Sequence, residues 1–186
     1  MNILLINPPC NHMMRMPGQY RYEQNIHEYS PPIGLMYIKS YLRKYSDDEV
    51  FLYNFQTPDN PTLNDFINFI VALKPDVIGI SVTTIFWYDV YIINKLIKEV
   101  LKSVIVVGGG RHMWLYPYES LTYGHFDIIV QGEGEKIFLE IINRIKSGGN
   151  FYGLDGVIFK NIKGDIIKEK GSELIQNLDL LPFPDY

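Results

Sequence analysis

The chain holds one cysteine, Cys10, in 186 residues. One thiol excludes a disulfide framework and a Cys-based metal cluster within this chain. A reducing cytoplasm is the expected compartment. Alanine is equally scarce, with Ala72 alone. Helix stability must therefore come mainly from packing rather than from intrinsic propensity. Basic residues are outnumbered, 17 Lys and Arg against 21 Asp and Glu, for a formal charge of −4. That balance argues against a nucleic-acid surface, which needs clustered Lys and Arg. No apolar run approaches the length of a membrane span. The N-terminus enters Asn2-Ile3-Leu4-Leu5-Ile6 without a basic region or a small-residue cleavage site. It reads as a strand rather than a signal peptide.

Familiar cofactor fingerprints are also missing. No GxGxxG follows the first apolar run, and no GxxxxGK phosphate loop exists. The first run ends in Asn7 and Pro8 rather than acids, so the acidic pocket of a phospho-acceptor domain is absent. It is not followed by the Ser/Thr-rich loop that a bound flavin phosphate would need. The histidines are His12, His27, His112 and His125, and none has a partner at helical ligand spacing. His12 and His112 fall on loops at the expected ligand edge.

What is present is alternation. Short apolar runs at Ile3–Ile6, Asp48–Asn54, Asp76–Ser81, Val104–Val107 and Phe126–Val130 are separated by helix-length segments. Runs this apolar suit strands buried on both faces, and their alternation with helices predicts an α/β fold with a parallel sheet. Leu35, Ile38, Leu42 and Tyr45 mark the first helix, which opens at Pro31-Pro32. Asn60 and Pro61 suggest an N-cap and first residue for the second. A third helix is expected from about Tyr88 to Lys102, a short one over 117–123, and a further one with Phe138, Ile141, Ile142 and Ile145 inward. The segments 156–160 and 165–168 flank Asn161-Ile162-Lys163-Gly164, a hairpin signal, read as an appendage to the sheet. Leu178–Tyr186 reads as an extended linker. The expected division is residues 1–150, a hairpin extension over 151–176 and a linker over 177–186.

In parallel sheets, ligands bind beyond the carboxyl ends of the strands. Ser81, Thr83 and Thr84 follow one run, Gly108-Gly109-Gly110 the next, and Gly132-Glu133-Gly134-Glu135 the next. Glycines there permit close backbone approach, and a helix N-terminus suits polar ligand groups. Ser81 and the threonines also suit simple helix capping. The long segment from Cys10 to Ser30 carries Met13, Met14, Arg15, Met16, Tyr20, Arg21, Tyr22 and Tyr29. It is expected to act as a lid over a ligand or partner.

Six stretches together resemble a known family. They are Asn7-Pro8-Pro9, Pro31-Pro32-Ile33-Gly34-Leu35, Pro75–Ser81, Gly108-Gly109-Gly110, Gly132–Glu135 and Leu178–Pro184. In this order they resemble the N-terminal cobalamin (B12)-binding domain of B12-dependent radical SAM enzymes. The resemblance implies a flavodoxin-like, Rossmann-like, doubly wound sheet of five parallel strands in the order 2-1-3-4-5. It implies cobalamin across the carboxyl edge, near Asn7 and Pro8. Ser81, Thr83 and Thr84 would contact the nucleotide tail or its phosphate. Gly108 and Gly109, with Gly110 beside them, would make room for the dimethylbenzimidazole end. Gly132, Glu133 and Gly134 would border the corrin rim or tail.

Two departures qualify it. The DxHxxG motif that supplies an axial His in other B12 domains is replaced by Asn7-Pro8-Pro9-Cys10-Asn11-His12. The resemblance therefore implies base-off cobalamin without protein histidine ligation, with Cys10 and His12 as outside candidates to approach the cobalt. The CxxxCxxC motif for a [4Fe–4S] cluster is missing too, and one cysteine cannot hold such a cluster. The cluster and S-adenosylmethionine would belong to a C-terminal radical SAM domain of a parent methyltransferase or magnesium-protoporphyrin ester cyclase-like enzyme. This chain would then perform no turnover alone. Two other readings stand beside this one. One is a cofactor-free domain of the same fold that docks on a catalytic domain. The other is a small self-contained enzyme with another cofactor, such as a flavin.

Overall fold

The computed structural model describes residues 1–10, 31–59 and 61–185. Strand β1 (Asn2–Asn7) leads, by way of the segment that includes residues 11–30, to helix α1 (Ile33–Tyr45) and β2 (Glu49–Asn54). Then come α2 (Leu63–Leu73), β3 (Val77–Ser81), a 3-10 turn at Thr84–Phe86 and α3 (Trp87–Val100). Next are β4 (Ile105–Gly109), two short helices α4 (Arg111–Leu115) and α5 (Pro117–Tyr123), β5 (Ile128–Val130) and α6 (Gly134–Lys146). Strands β6 (Val157–Lys160) and β7 (Ile166–Lys168) close the order.

The sheet runs β2-β1-β3-β4-β5-β6-β7. The first five strands are parallel, in the order the resemblance implied. The hairpin is a continuation rather than an appendage: β6 pairs antiparallel with β5, and β7 with β6, giving seven strands. The doubly wound α/β class holds.

The runs Ile3–Ile6 of β1 and Val77–Ile80 of β3 are apolar because both faces are covered. Leu4, Ile6, Ile78 and Ile80 pack with Phe66, Ile70, Ile93, Ile97 and Met113 from α2, α3 and α4. Ile3, Leu5 and Val77 pack with Leu35 and Leu42 of α1 and Phe138, Ile141 and Ile142 of α6. Successive strand residues alternate between these two layers.

Some boundaries differ for local reasons. Helix α2 is capped by Thr62, whose side chain accepts from the Asp65 N–H at 3.2 Å while Asp65 Oδ2 accepts from the Thr62 N–H at 2.9 Å. The expected cap, Asn60, lies outside the described residues. Helix α4 has five residues, too few to show a periodicity. Strand β5 starts at Ile128, and Asp127 just before it turns its carboxylate to the Val106 N–H, 2.7 Å away, and to Lys98. The expected lid over 11–30, with His12 and His27, lies outside the described residues as well.

Candidate functional site

The carboxyl ends of the parallel strands set the site. Asn7 pairs in register with Asn54, Ile6 with Ile80, and Ser81 with Gly109. The last residues of β2, β1, β3 and β4 therefore form one row: Asn54, Asn7, Ser81, Gly109. By strand alternation all four face the layer of α1 and α6, two residues beyond Leu52, Leu5, Gly79 and Val107. The row replaces apolar side chains with two carboxamides, a hydroxyl and a hydrogen.

The carboxamides are tied together. Asn7 Nδ2 donates to Asn54 Oδ1 at 2.7 Å, and the Gln56 N–H donates to the same oxygen at 3.0 Å. Gln56 Nε2 donates to the Pro8 carbonyl at 2.8 Å, so β2 also holds the chain just after β1. Asn54 and Gln56 were not singled out from sequence. The signal was available, because parallel pairing of the first two strands places their terminal residues side by side.

The three consecutive glycines play three different parts. A Cβ on Gly109 meets nothing within 4 Å, so this residue faces open space. Gly108 faces the opposite layer, where the Phe126 ring lies 2.9 Å from its Cβ position. Gly110 has φ 94°, and a Cβ there falls 2.7 Å from the Val82 carbonyl oxygen. That approach permits a latch: the Val82 N–H donates to the Gly109 carbonyl at 2.8 Å, and the His112 N–H donates to the Val82 carbonyl at 3.0 Å.

Thr83 is exposed and Thr84 half-buried. Thr84 Oγ1 lies 3.3 Å from His112 Nδ1. The His112 ring is 2% exposed and stacks on Trp87 with centroids 4.3 Å apart. Its Nε2 has no hydrogen-bond partner among the described residues. Burial pushes the His112 pKa down, against a smaller upward pull from Glu119. Thr84 and His112 thus belong to the α3 side of the edge, away from the row that faces α1 and α6.

The turn after β5 is covered by the chain's own later segment. Ser172 Oγ donates to the Gln131 carbonyl at 3.2 Å and stands where a side chain on Gly132 (φ 135°) would be. Glu133 accepts from the Ile175 N–H. Gly134 sits against Ile38 of α1, 2.9 Å from its Cβ position. Burial pushes the Glu135 carboxyl up, and Glu133 adds to that. Gln131 Nε2 reaches back to the Met113 carbonyl at 3.1 Å, joining this turn to the one after β4.

Cys10 is half-buried. Burial, then the charge of Asp89, push its thiol up, which disfavours the thiolate that binds metals. Among the described residues no three His, Cys, Asp or Glu side chains are grouped to hold a metal ion. Among them, too, no helix is long and apolar enough to cross a membrane.

The protein-family model described as "B12 binding domain" matches residues 24–142. The chain is 31% identical over 189 residues to the uncharacterized methyltransferase PH0819 of Pyrococcus horikoshii, covering all of this chain and 38% of that protein. It is 26% identical over 160 residues to the anaerobic magnesium-protoporphyrin IX monomethyl ester cyclase of Rubrivivax gelatinosus, covering 84% of this chain and 28% of that one. The chain thus spans about a third of the length of these curated relatives. The structure of the cobalamin-dependent S-adenosylmethionine radical enzyme OxsB with aqua-cobalamin bound superposes with a TM-score of 0.79 at 21% identity, over 98% of this chain and 24% of that one. At that identity the likeness is one of fold.

Proposed function

The chain belongs to the B12-binding domain family, and from that premise we propose that it holds cobalamin at the carboxyl edge of its sheet, on the side of α1 and α6. The observation that carries this is the row Asn54, Asn7, Ser81, Gly109, small and polar, with open space before Gly109. A cradle of that kind fits a large, flat, amide-bearing group. Asn7, Ser81 and Gly109 would line the approach, and the buried Pro8, tied to Gln56 through its carbonyl, would shape it. Thr83, exposed beyond β3, would offer its hydroxyl to the nucleotide tail or its phosphate, with Thr84 beside His112 bordering that end from the α3 side, and Gly108 and Gly110 shape the backbone that carries Gly109. Gly132, Glu133 and Gly134 border the rim, where Glu133 is steadied by Ile175.

No described histidine stands beside the row. His112 is sealed against Trp87 behind the β3–β4 latch. We propose that cobalamin would be held here base-off, with no imidazole supplied by the described residues. When bound, cobalamin supplies a cobalt centre for alkyl-group chemistry. The residues of this chain bind it, orient it and keep one of its faces from solvent. These relatives are about three times as long as this chain, as their coverage shows. We place this module beside a C-terminal radical SAM domain that carries the [4Fe–4S] cluster and S-adenosylmethionine, in a parent of methyltransferase or cyclase type. The limits at residues 150 and 176 belong to the same proposal.

The test is direct. Purified protein is incubated with hydroxocobalamin, desalted, and its visible spectrum recorded. Retained corrin absorbance near one equivalent is expected, and none at micromolar protein would sink the reading. Electron paramagnetic resonance of the reduced, cobalt(II) form tests the base-off state: nitrogen superhyperfine splitting would contradict it.

A further inference from the structure

The Asn7–Asn54 pair has a fixed polarity. A carboxamide can usually be turned over in a structure, because its oxygen and nitrogen look alike. Here the Gln56 backbone N–H points at one atom of Asn54 from 3.0 Å. A backbone N–H only donates, so that atom is the oxygen. Asn7 meets the same oxygen at 2.7 Å and must therefore present its nitrogen. The orientation of Asn7 is settled by a backbone group two residues beyond Asn54.

What is left over is specific. Asn7 has spent one N–H, and among the described residues nothing else engages its carbonyl oxygen or its second N–H. The Asn54 amide nitrogen likewise keeps its donors. Asn7 thus keeps one acceptor and one donor, and a primary carboxamide, which carries both kinds of group, can answer each of them. A carboxylate in that place brings acceptors only, and one of them would face the Asn7 oxygen. Gln56 holds the frame from the other side through the Pro8 carbonyl at 2.8 Å.

We propose that Asn7, oriented by Asn54 and Gln56, reads a peripheral primary carboxamide of the ligand and selects it against a carboxylate. This rests on the cobalamin reading above, since the corrin ring is fringed with primary carboxamides. It adds a specificity residue, Asn7, and two positioning residues, Asn54 and Gln56, that act through it.

The experiment is a set of absorbance titrations. Wild-type protein is titrated with hydroxocobalamin and with its singly hydrolysed derivatives, each having one side-chain amide converted to a carboxylic acid. One derivative is expected to bind about tenfold more weakly, the scale of one mispaired, partly exposed hydrogen bond. Asn54→Leu frees the Asn7 amide to rotate, and Asn7→Ala removes the reader. Both are expected to bring that ratio close to one, with circular dichroism confirming the fold. Should Asn54→Leu fold poorly, Asn7→Ala, at a strand end, carries the test alone. Equal affinity of the wild type for all derivatives overturns the proposal while leaving the cobalamin reading standing. Discrimination that persists in Asn7→Ala overturns it too. Failure of the wild type to bind hydroxocobalamin at all sinks the cobalamin reading, and this inference with it.

Discussion

The Phe138 ring of α6 lies 2.8 Å from the point where a side chain on Gly79 would begin, in the centre of β3. Leu5, in register with Gly79 on β1, closes the same space at 2.9 Å. Glycine lets an aromatic ring lie directly on the sheet below the site. Gly79→Ala is expected to cost about 1–3 kcal/mol through overpacking. Phe138→Leu in the same chain should recover part of it. Urea unfolding of the two single variants and the double variant measures the coupling.

Gly109 and Gly110 are neighbours with opposite tolerances. Gly109→Ala meets nothing within 4 Å, so its stability should fall by no more than about 0.5 kcal/mol. Gly110→Ala drives a methyl into the Val82 backbone at a φ of 94° and should cost about 2–4 kcal/mol. Thermal midpoints distinguish the two. Hydroxocobalamin retention should fall in Gly109→Ala despite its intact fold.

Asp48 anchors the other end of the sheet. Its side chain is 1% exposed, with the Lys146 ammonium at 2.6 Å and the Met1 ammonium at 2.9 Å. Burial would raise the carboxyl, but hydrogen bonds from Lys146, the N-terminus and Ser46 outweigh it and hold it below the ordinary carboxylate range. A depressed folded pKa gives stability that is complete above the unfolded value and is lost as pH falls through the folded one. Asp48→Asn should flatten the acid limb of a stability–pH curve below about pH 4. At neutral pH it should cost about 2–3 kcal/mol, toward the low side for a broken buried pair because Lys146 is partly exposed.

His112 moves the curve in a different window. Burial favours its neutral form, so its folded pKa lies below the ordinary histidine value. The stability this confers is full above about pH 6.5 and drains as pH falls towards and through the folded pKa. His112→Gln should remove that slope while leaving the Asp48 limb in place. Trp87, stacked at 4.3 Å, reports the event directly. Its fluorescence should change with the protonation of wild-type protein and stay flat in the variant.

The strands themselves were legible, because a strand buried on both faces needs the uninterrupted apolar runs seen at Ile3–Ile6 and Val77–Ile80, while their order came from the family resemblance. It carried the site less evenly. Ser81 and Gly109 are strand-end residues of like parity, and the structure brings them together with Asn7. Gly108, one residue earlier than Gly109, points through the sheet to Phe126. Strand alternation would have separated the two, but a run of three glycines has no side chains to show its phase. The cover over Gly132 and Glu133 was not legible at all. Ser172 and Ile175 reach it from about forty residues away, and no local pattern marks such a contact. Thr62 and Asn60 both suit an N-cap, and the reciprocal bonds with Asp65 mark Thr62 as the one that caps α2.

The β6–β7 hairpin has a consequence in time. The outer side of β5, from Ile128 to Val130, is covered by Phe159, Ile158 and Val157 of β6. On a growing chain, β5 is made some thirty residues before its outer neighbour. Until then it is a raw apolar edge of the sort that recruits other chains. The fold is sealed by its last strands, so shortening the chain at the Gly148-Gly149 turn would leave a sheet that finds its missing neighbour in another molecule.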